Sequence, residues 1–286
     1  MLGRFGKDAG SLLGVEIAAD SVRVAQLRRR AGRLERVAWA FQGFEPFAPG
    51  NARHDDDRVA GALRSAYRQC GSRQRRAAVA LPASQVICKV LQLPAGQADS
   101  ERETQLLADA DQLFPFPLEE LQLDFQVLGA SQLQPGYLDV MVAACRQSLL
   151  QPLEALFAQA GLELVVVEVD SIALQRLMPP QAGGRAALLR IEPGSLIVHG
   201  WQQGSLPRQC ELQAGVAPQR SGDVFADGVA PTEVFVTGAP ALGQGGLARL
   251  GEALGLSCTP LPLLAALDCS DSRMALASAL ALGGMH

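Results

Sequence analysis

Two strand–turn–strand stretches carry most of the side chains that could do chemistry. The first reads LLGVEIAADSVRVAQL, from Leu12 to Leu27. Leu13, Val15 and Ile17 alternate, a polar turn spans Ala18–Ser21, and Val22 and Val24 resume the alternation. Glu16, Asp20, Ser21 and Arg23 fall in and beside that turn. The second stretch, AALLRIEPGSLIVHGWQQG, echoes the first and carries Arg190 and Glu192 at its turn. A turn with a hydroxyl and a cation is a shape that can cradle a phosphate. Glu16 and Glu192 also form a candidate acid pair for general acid–base work. The plainer reading of that pair, two turn residues exposed at a cleft rim, is preferred. Asp170 closes the apolar run LELVVVEVD and precedes SIALQRL, which suits a carboxylate capping a helix.

Other chemistries find little support. The chain has 286 residues, enough for one large domain or two modest ones sharing a cleft. At 48% apolar and 19% charged it is ordinary globular material, and its net charge of −4 argues against broad nucleic-acid binding. Arginines gather at Arg28–Arg30 and at Arg73, Arg75 and Arg76. They read as solvated turns between strands in preference to a patch for an anionic partner. Six cysteines, at 70, 88, 145, 210, 258 and 269, form no C-x-x-C, and His54, His199 and His286 lack ligand spacing, so no metal site is expected. No stretch reaches the ~18 apolar residues of a membrane span. MLGRFGKDAG has charge but no apolar core of a signal peptide, which predicts a cytosolic chain. Leu2 and Phe5 beside Arg4 and Lys7 could touch a membrane surface, in a stub too short to anchor alone.

Elements that position these residues follow from periodicity. LERVAWAF supplies a third strand. Asp55, Asp56 and Asp57 then suit a helix start, Val59, Leu63, Ala66, Tyr67 and Cys70 recur at helical spacing, and Gly71 ends the helix. AAVALP is a short buried strand, completing β-β-β-α-β. An insert of β-α-β-β-α follows: the strand VICKVLQLP, then a helix opened by a capping box at Ser100–Glu103 with Leu106, Leu107, Ala110, Leu113 and Phe114 on one face. Pro115 stops it, and FPFPLEEL is predicted to be extended. Two alternating strands pair through Gln132–Gly136, and a helix from about Leu149 to Ala160 closes the insert. The second half repeats the strand order, with TEVFVTG and LSCTPL as strands, GGLARLGEAL and MALASALAL as helices, and Gln213–Thr232 as a loop in place of the first copy's helix.

The duplicated β-β-β-α-β unit resembles the actin-like fold, two RNase H-like units with an α+β insert in the first half and a reduced second half, an α/β protein. ADADQLFPFPLEELQLDFQVLG, Ala108–Gly129, together with the first hairpin, resembles the PilM family of cytoplasmic actin-like pilus-assembly proteins. VMVAACR and VVVEVDSIALQRL resemble its following segments. The chain is similar to the short, divergent branch, and the fold is shared with the cell-division protein FtsA and the secretion protein GspL. Residues 12–82 with 163–182 would form the first subdomain, 83–162 the insert and 185–286 a truncated second subdomain.

The resemblance implies a nucleotide crevice and shows where this chain departs from it. Both hairpin turns would hold phosphate, with glycine and serine admitting backbone N–H groups and a carboxylate ending each first strand for magnesium. In the first turn the glycine is missing, and Asp20 adds a negative charge where phosphate would sit, a repulsion of a few kcal/mol at ~4 Å. In the second, Arg190 replaces the carboxylate and Pro193 removes a donor. The adenosine-side motif reads Gly238, Ala239, Pro240. A degenerate phosphate and adenosine site of Glu16, Asp20, Ser21, Arg23, Asp170, Glu192 and Gly238 is therefore expected, without catalytic residues, and with ATP and magnesium doubtful. The family further implies a scaffold at the inner face of the inner membrane, capturing the N-terminal peptide of a PilN-like membrane protein between core and insert. Val86, Lys89, Leu91, Phe116, Leu118 and Arg146 would border that groove, Arg146 anchoring a peptide carbonyl or acidic side chain, and Phe114 lying in the core. Other pilus-assembly proteins would be further partners. The alternatives are an actin-like ATPase or a kinase of the same fold, and a GspL-like adaptor binding a secretion ATPase.

Overall fold

A computed structural model describes residues 11–45, 52–179, 185–193, 195–202, 206–213, 231, 233–238, 244–267, 269 and 271–285. The first lobe carries β1 (Leu13–Ile17), β2 (Ser21–Arg30), β3 (Arg33–Gly43), α1 (Ala52–Cys70), β4 (Arg76–Leu81) and β8 (Glu163–Val169), its sheet ordered β3-β2-β1-β4-β8. The second carries β9 (Arg185–Glu192), β10 (Ser195–Gln202), β11 (Arg208–Gln213), β12 (Glu233–Thr237) and β13 (Ser257–Pro260), ordered β11-β10-β9-β12-β13. Both sheets have two antiparallel joints followed by two parallel ones, so the duplication expected from the sequence is present in topology and in sense. The stretch Gln213–Thr232, expected to be a loop, lies almost entirely outside the described residues.

Strand parity decides what each face meets. On β1, Leu13 and Val15 enter the core under α1, while Gly14 and Glu16, with Leu12 just before the strand, face the other way, toward α8 and the other lobe. On β9, Ala187 and Leu189 enter the second lobe's own core with Val198 and Val236, while Ala186, Leu188 and Arg190 face back. The apolar part of the interface is a single core of Leu12, Ala25, Leu27, Leu188, Trp201 and Phe235, sealed by α5 (Asp170–Gln175), α7 (Pro262–Ala266) and α8 (Ala275–Gly283). Residues Ala275–Ala281 of α8 are all buried, as a helix apolar on all sides should be. This last helix packs chiefly on β1 and β2 of the first lobe. The remaining helix, α6 (Gln244–Leu254), covers the far face of the second sheet through Leu247 and Leu250.

Between β4 and β8 lies a three-stranded antiparallel sheet of β5 (Ile87–Pro94), β6 (Leu121–Ala130) and β7 (Tyr137–Arg146), ordered β5-β7-β6. Its core is Leu93, Leu106, Ala110, Phe114, Val140 and Val142. The helix after it, α4 (Gln147–Gln159), buries Leu150, Leu156 and Phe157 in the first lobe's core, so by packing the insert ends at Arg146 and α4 belongs to the lobe.

Three local expectations need correction. The helix α2 (Asp99–Ala108) begins earlier than the Ser100–Glu103 box: the Glu101 carboxylate accepts the Ala98 N–H at 2.7 Å, and Ser100 lies inside the first turn. A break at Asp109 separates α2 from α3 (Ala110–Leu113), and Leu107, expected on the apolar face, is exposed to solvent. Within FPFPLEEL, Leu118–Glu120 close a 3₁₀ turn, because Pro117 needs no N–H there and its carbonyl accepts from Glu120.

Close approach of β1 to α8 requires Gly14. A Cβ there would stand 1.9 Å from the Ala277 carbonyl oxygen and 2.6 Å from the Ala281 nitrogen. Gly14→Ala is expected to cost about 3 kcal/mol or more in urea unfolding, by forced separation of helix and strand. Gly61→Ala on α1, where a Cβ meets nothing within 4 Å, is expected to stabilise by roughly 0.5–1 kcal/mol.

Candidate functional site

The hairpins β1–β2 and β9–β10 point their turns at each other across the lobe boundary, and the residues singled out in the sequence meet there. Arg23, 2% exposed, donates through Nη1 to Glu16 Oε1 at 3.2 Å and through Nη2 to Glu192 Oε2 at 3.2 Å. Arg190 donates through Nη2 to Glu16 Oε1 at 2.6 Å and to Glu192 Oε1 at 3.0 Å. Its Nη1 stands 3.8 Å from Asp170 Oδ2, and Arg23 Nη2 stands 3.8 Å from Asp20 Oδ1. Each hairpin therefore sends a guanidinium to a carboxylate of the other. Four carboxylates surround two guanidiniums.

Burial sets the protonation energetics. It pushes the Glu16 carboxyl above its ordinary value against the pull of Arg190 and Arg23, and it does the same to Asp170 against Arg190. Burial works against the charge on Arg190, and Glu16, Glu192 and Asp170 more than offset it. Among the described residues, Glu16 Oε2 has no hydrogen-bond partner. Neither Glu16, 4% exposed, nor Glu192, whose side chain is 12% exposed, is the rim residue expected from the sequence. The opposing lobe covers both, which a single hairpin's sequence does not reveal.

Asp170 is also corrected. It is the first residue of α5, and its Oδ1 accepts the Ala83 N–H at 3.0 Å and the Ser171 N–H at 2.6 Å, tying the exit of β4 to α5 instead of capping the helix. Ser21 donates to Asp20 Oδ1 at 2.8 Å, so that hydroxyl is spent within its own turn. Gly238 has φ +99°, and a Cβ there would stand 2.2 Å from the Ile191 carbonyl oxygen. Its glycine thus serves the close approach of two strand ends. Ala239 and Pro240 lie outside the described residues. Beside Gly238, Val236, Pro260, Leu261, Leu264, Ala265, Cys269 and Ser272 line a largely apolar hollow of about 400 Å³.

Sequence reading missed several participants. Arg273 accepts Arg23 Nη1 on its carbonyl at 3.2 Å, chelates Asp271, and lays its guanidinium 3.9 Å from the Phe41 ring centroid. No local signal marks Arg273. His199 had one: it alternates with Trp201 on β10 and so shares the face toward the first lobe. It is fully buried, its ring is stacked at 5.9 Å on Trp201, and among the described residues neither ring nitrogen has a partner. Burial, with the nearby Arg190 charge, lowers its pKa to about 3.

The groove residues divide. Val86 is buried in the first lobe's core, and Leu91 packs partly in the insert core. Lys89 donates its ammonium to the Leu113 carbonyl and lies 5.6 Å from the ring centroid of buried Phe114. Leu118 is exposed, and Phe116 is half-buried beneath Arg146, whose guanidinium stands 4.7 Å from its ring centroid and 2.8 Å from Glu120. Among the described residues no group of three or more His, Cys, Asp or Glu is placed to hold a metal ion, and no helix is long and apolar enough to cross a membrane.

Two predictions follow from the buried groups. Arg190→Leu leaves Glu16 with Arg23 as its guanidinium partner and Asp170 with backbone N–H groups alone, and should cost about 3–5 kcal/mol in urea unfolding, with part of the loss recovered on adding Glu16→Gln. His199 binds its proton more weakly folded than unfolded, so stability should fall as pH drops from about 6.5 toward 3. Between pH 7 and 4 the wild type should lose about 3 kcal/mol more than His199→Leu, and at pH 7 that variant should be neutral or about 1 kcal/mol more stable.

Comparison with known proteins agrees with this architecture. A structure described as the PilM–PilN type IV pilus biogenesis complex is similar over 96% of this chain and 99% of its own, at 19% identity and a TM-score of 0.71. The cytoplasmic domain of EpsL, an inner-membrane component of the type II secretion system of Vibrio cholerae, is similar over 95% and 94%, at 16% identity and a TM-score of 0.53. The ethanolamine utilization protein EutJ of Carboxydothermus hydrogenoformans follows, over 96% and 89%, at 14% identity and a TM-score of 0.50. These likenesses show an actin-like fold. The family model of the type IV pilus assembly protein PilM matches residues 14–182, which span the first lobe and the insert, and the chain belongs to that family.

Proposed function

We propose that this protein is a cytoplasmic scaffold of a type IV pilus or DNA-uptake machine, that it binds the N-terminal cytoplasmic peptide of a PilN-like inner-membrane protein, and that its crevice neither turns over nucleotide nor binds it tightly. The ion cluster between the hairpins carries the reading. Two built-in guanidiniums fill the space between the turns, and the excess of carboxylates over arginines repels a triphosphate. A similar protein is known from a PilM–PilN complex, which favours a PilN-like partner here. The strip along Leu118, Phe116 and Arg146 offers an exposed apolar side chain beside a cation that a peptide carboxylate could draw from Glu120.

Titration of the full chain with the N-terminal peptide of the neighbouring single-span membrane protein should give a Kd of ~50 μM or tighter, and Arg146→Ala should weaken it by about tenfold. Absence of binding at several times that concentration rejects the scaffold reading. Retained nucleotide binding is the second reading, favoured by the apolar hollow beside Gly238. On the first reading, about 1 mM magnesium–ATP leaves the melting temperature unchanged, whereas a ligand at 100 times its Kd would add about 2.7 kcal/mol of stability.

A further inference from the structure

The arginines read from the sequence as two separate solvated turns converge on one end of the first lobe. Register shows it. Leu13, the first residue of β1, pairs with Gln26 on one side and Ala77 on the other. Arg28–Arg30 therefore run about 7–14 Å past the end of β1. Arg33 faces Arg30 across the turn at Ala31 and Gly32, both with positive φ. Arg73, Arg75 and Arg76 enter β4 at the same end. A hydrogen-bond chain stitches the two groups together: Ser72 Oγ donates to Gln26 Oε1 at 2.7 Å, and Gln26 Nε2 donates to Ser11 Oγ at 3.1 Å. Arg28 is paired with Glu35. The others are exposed, and among the described residues Arg29, Arg30, Arg33, Arg73 and Arg75 have no carboxylate partner. This positive end belongs to a chain whose net charge is −4.

From this juxtaposition we infer a direct docking surface for an anionic lipid bilayer, with lipid phosphates as the ligands. Three observations favour that occupant over an acidic protein or a nucleic acid. Arginines on a hairpin tip and a loop suit a broad plane of phosphates, and the residues between them, Ala31, Gly32, Ser72 and Gln74, supply no apolar anchor for a peptide. Ser11 lies among the arginines, and the sequence that precedes it, MLGRFGKDAG, contains Leu2 and Phe5 with Arg4 and Lys7. That composition matches a surface with both hydrocarbon and phosphate. The residues between the arginines, Ala31, Gly32, Ser72 and Gln74, include no aromatic ring on which a nucleic-acid base could stack. This surface is independent of the peptide reading above.

Flotation of the full chain with vesicles tests it. The chain should float with phosphatidylcholine vesicles containing ~30% phosphatidylglycerol at about 50 mM salt, not with pure phosphatidylcholine, and should be released at about 500 mM salt. Each arginine near the surface is worth about fivefold, so joint replacement Arg29→Gln, Arg30→Gln, Arg73→Gln and Arg75→Gln should weaken binding by at least about fiftyfold. The four corresponding Arg→Lys changes should keep it within about fivefold, which separates loss of charge from loss of fold. Flotation that ignores lipid charge, an unchanged Gln variant, or no flotation of the wild type overturns the inference. So does retention on polyglutamate with indifference to vesicles, which would make the surface a protein dock. Peptide affinity should be the same in the Gln variant, so failure here leaves the scaffold reading standing, and failure of the peptide leaves this one.

Discussion

Two arginines exchanged across the lobe boundary set the arrangement of everything else. Arg23 and Arg190 are charged and nearly inaccessible to water, so each must find carboxylates where it is buried. Glu16 and Glu192 supply them from opposite hairpins. Separating the lobes would rehydrate the cluster, and shifting them by a residue would leave charges buried without partners. A buried cluster of this kind gives little net stability, because desolvation offsets most of the attraction. What it favours is register, since sliding one hairpin past the other breaks the Arg23–Glu192 and Arg190–Glu16 pairs. The free energy of the interface comes from the other half, where α8 fits against Gly14 and the apolar core closes around Trp201.

The cluster lies between two hairpins of matching topology but is not itself symmetric. Equivalent hairpins open equivalent sheets, with Glu16 the last residue but one of β1 and Glu192 the last of β9. The arginines are not equivalent, since Arg23 stands on the second strand of its hairpin and Arg190 on the first of its own. That offset lets the groups interleave instead of meeting like to like.

Much of this is legible in the sequence because parity is local. Leu12, Gly14 and Glu16 must share a face, as must Leu188, Arg190 and Glu192, and the two sheets follow from alternation and turns. What the faces meet is not local. Glu16 reads as a rim residue until a second lobe covers it, and Arg273 enters the cluster from the far end of the chain with nothing nearby to announce it. The α2 cap was displaced by competition, two acidic residues close together each able to bond an N-terminal N–H, with the geometry choosing Glu101. His199 was visible as a polar side chain in an apolar alternation, but its lack of partners is a property of packing alone.

The insert leaves from the last residues of β4, while the arginine-rich end begins at its first residue, Arg76. A strand of six residues separates them, about 20 Å. β1 and β4 run side by side through that distance, hydrogen-bonded on both edges and packed on both faces, so the lobe is a stiff spacer with a different surface at each end. On the peptide and bilayer readings proposed above, a peptide held at the insert would keep a distance from the membrane set by this one sheet, and the ion cluster between the lobes does not enter that distance.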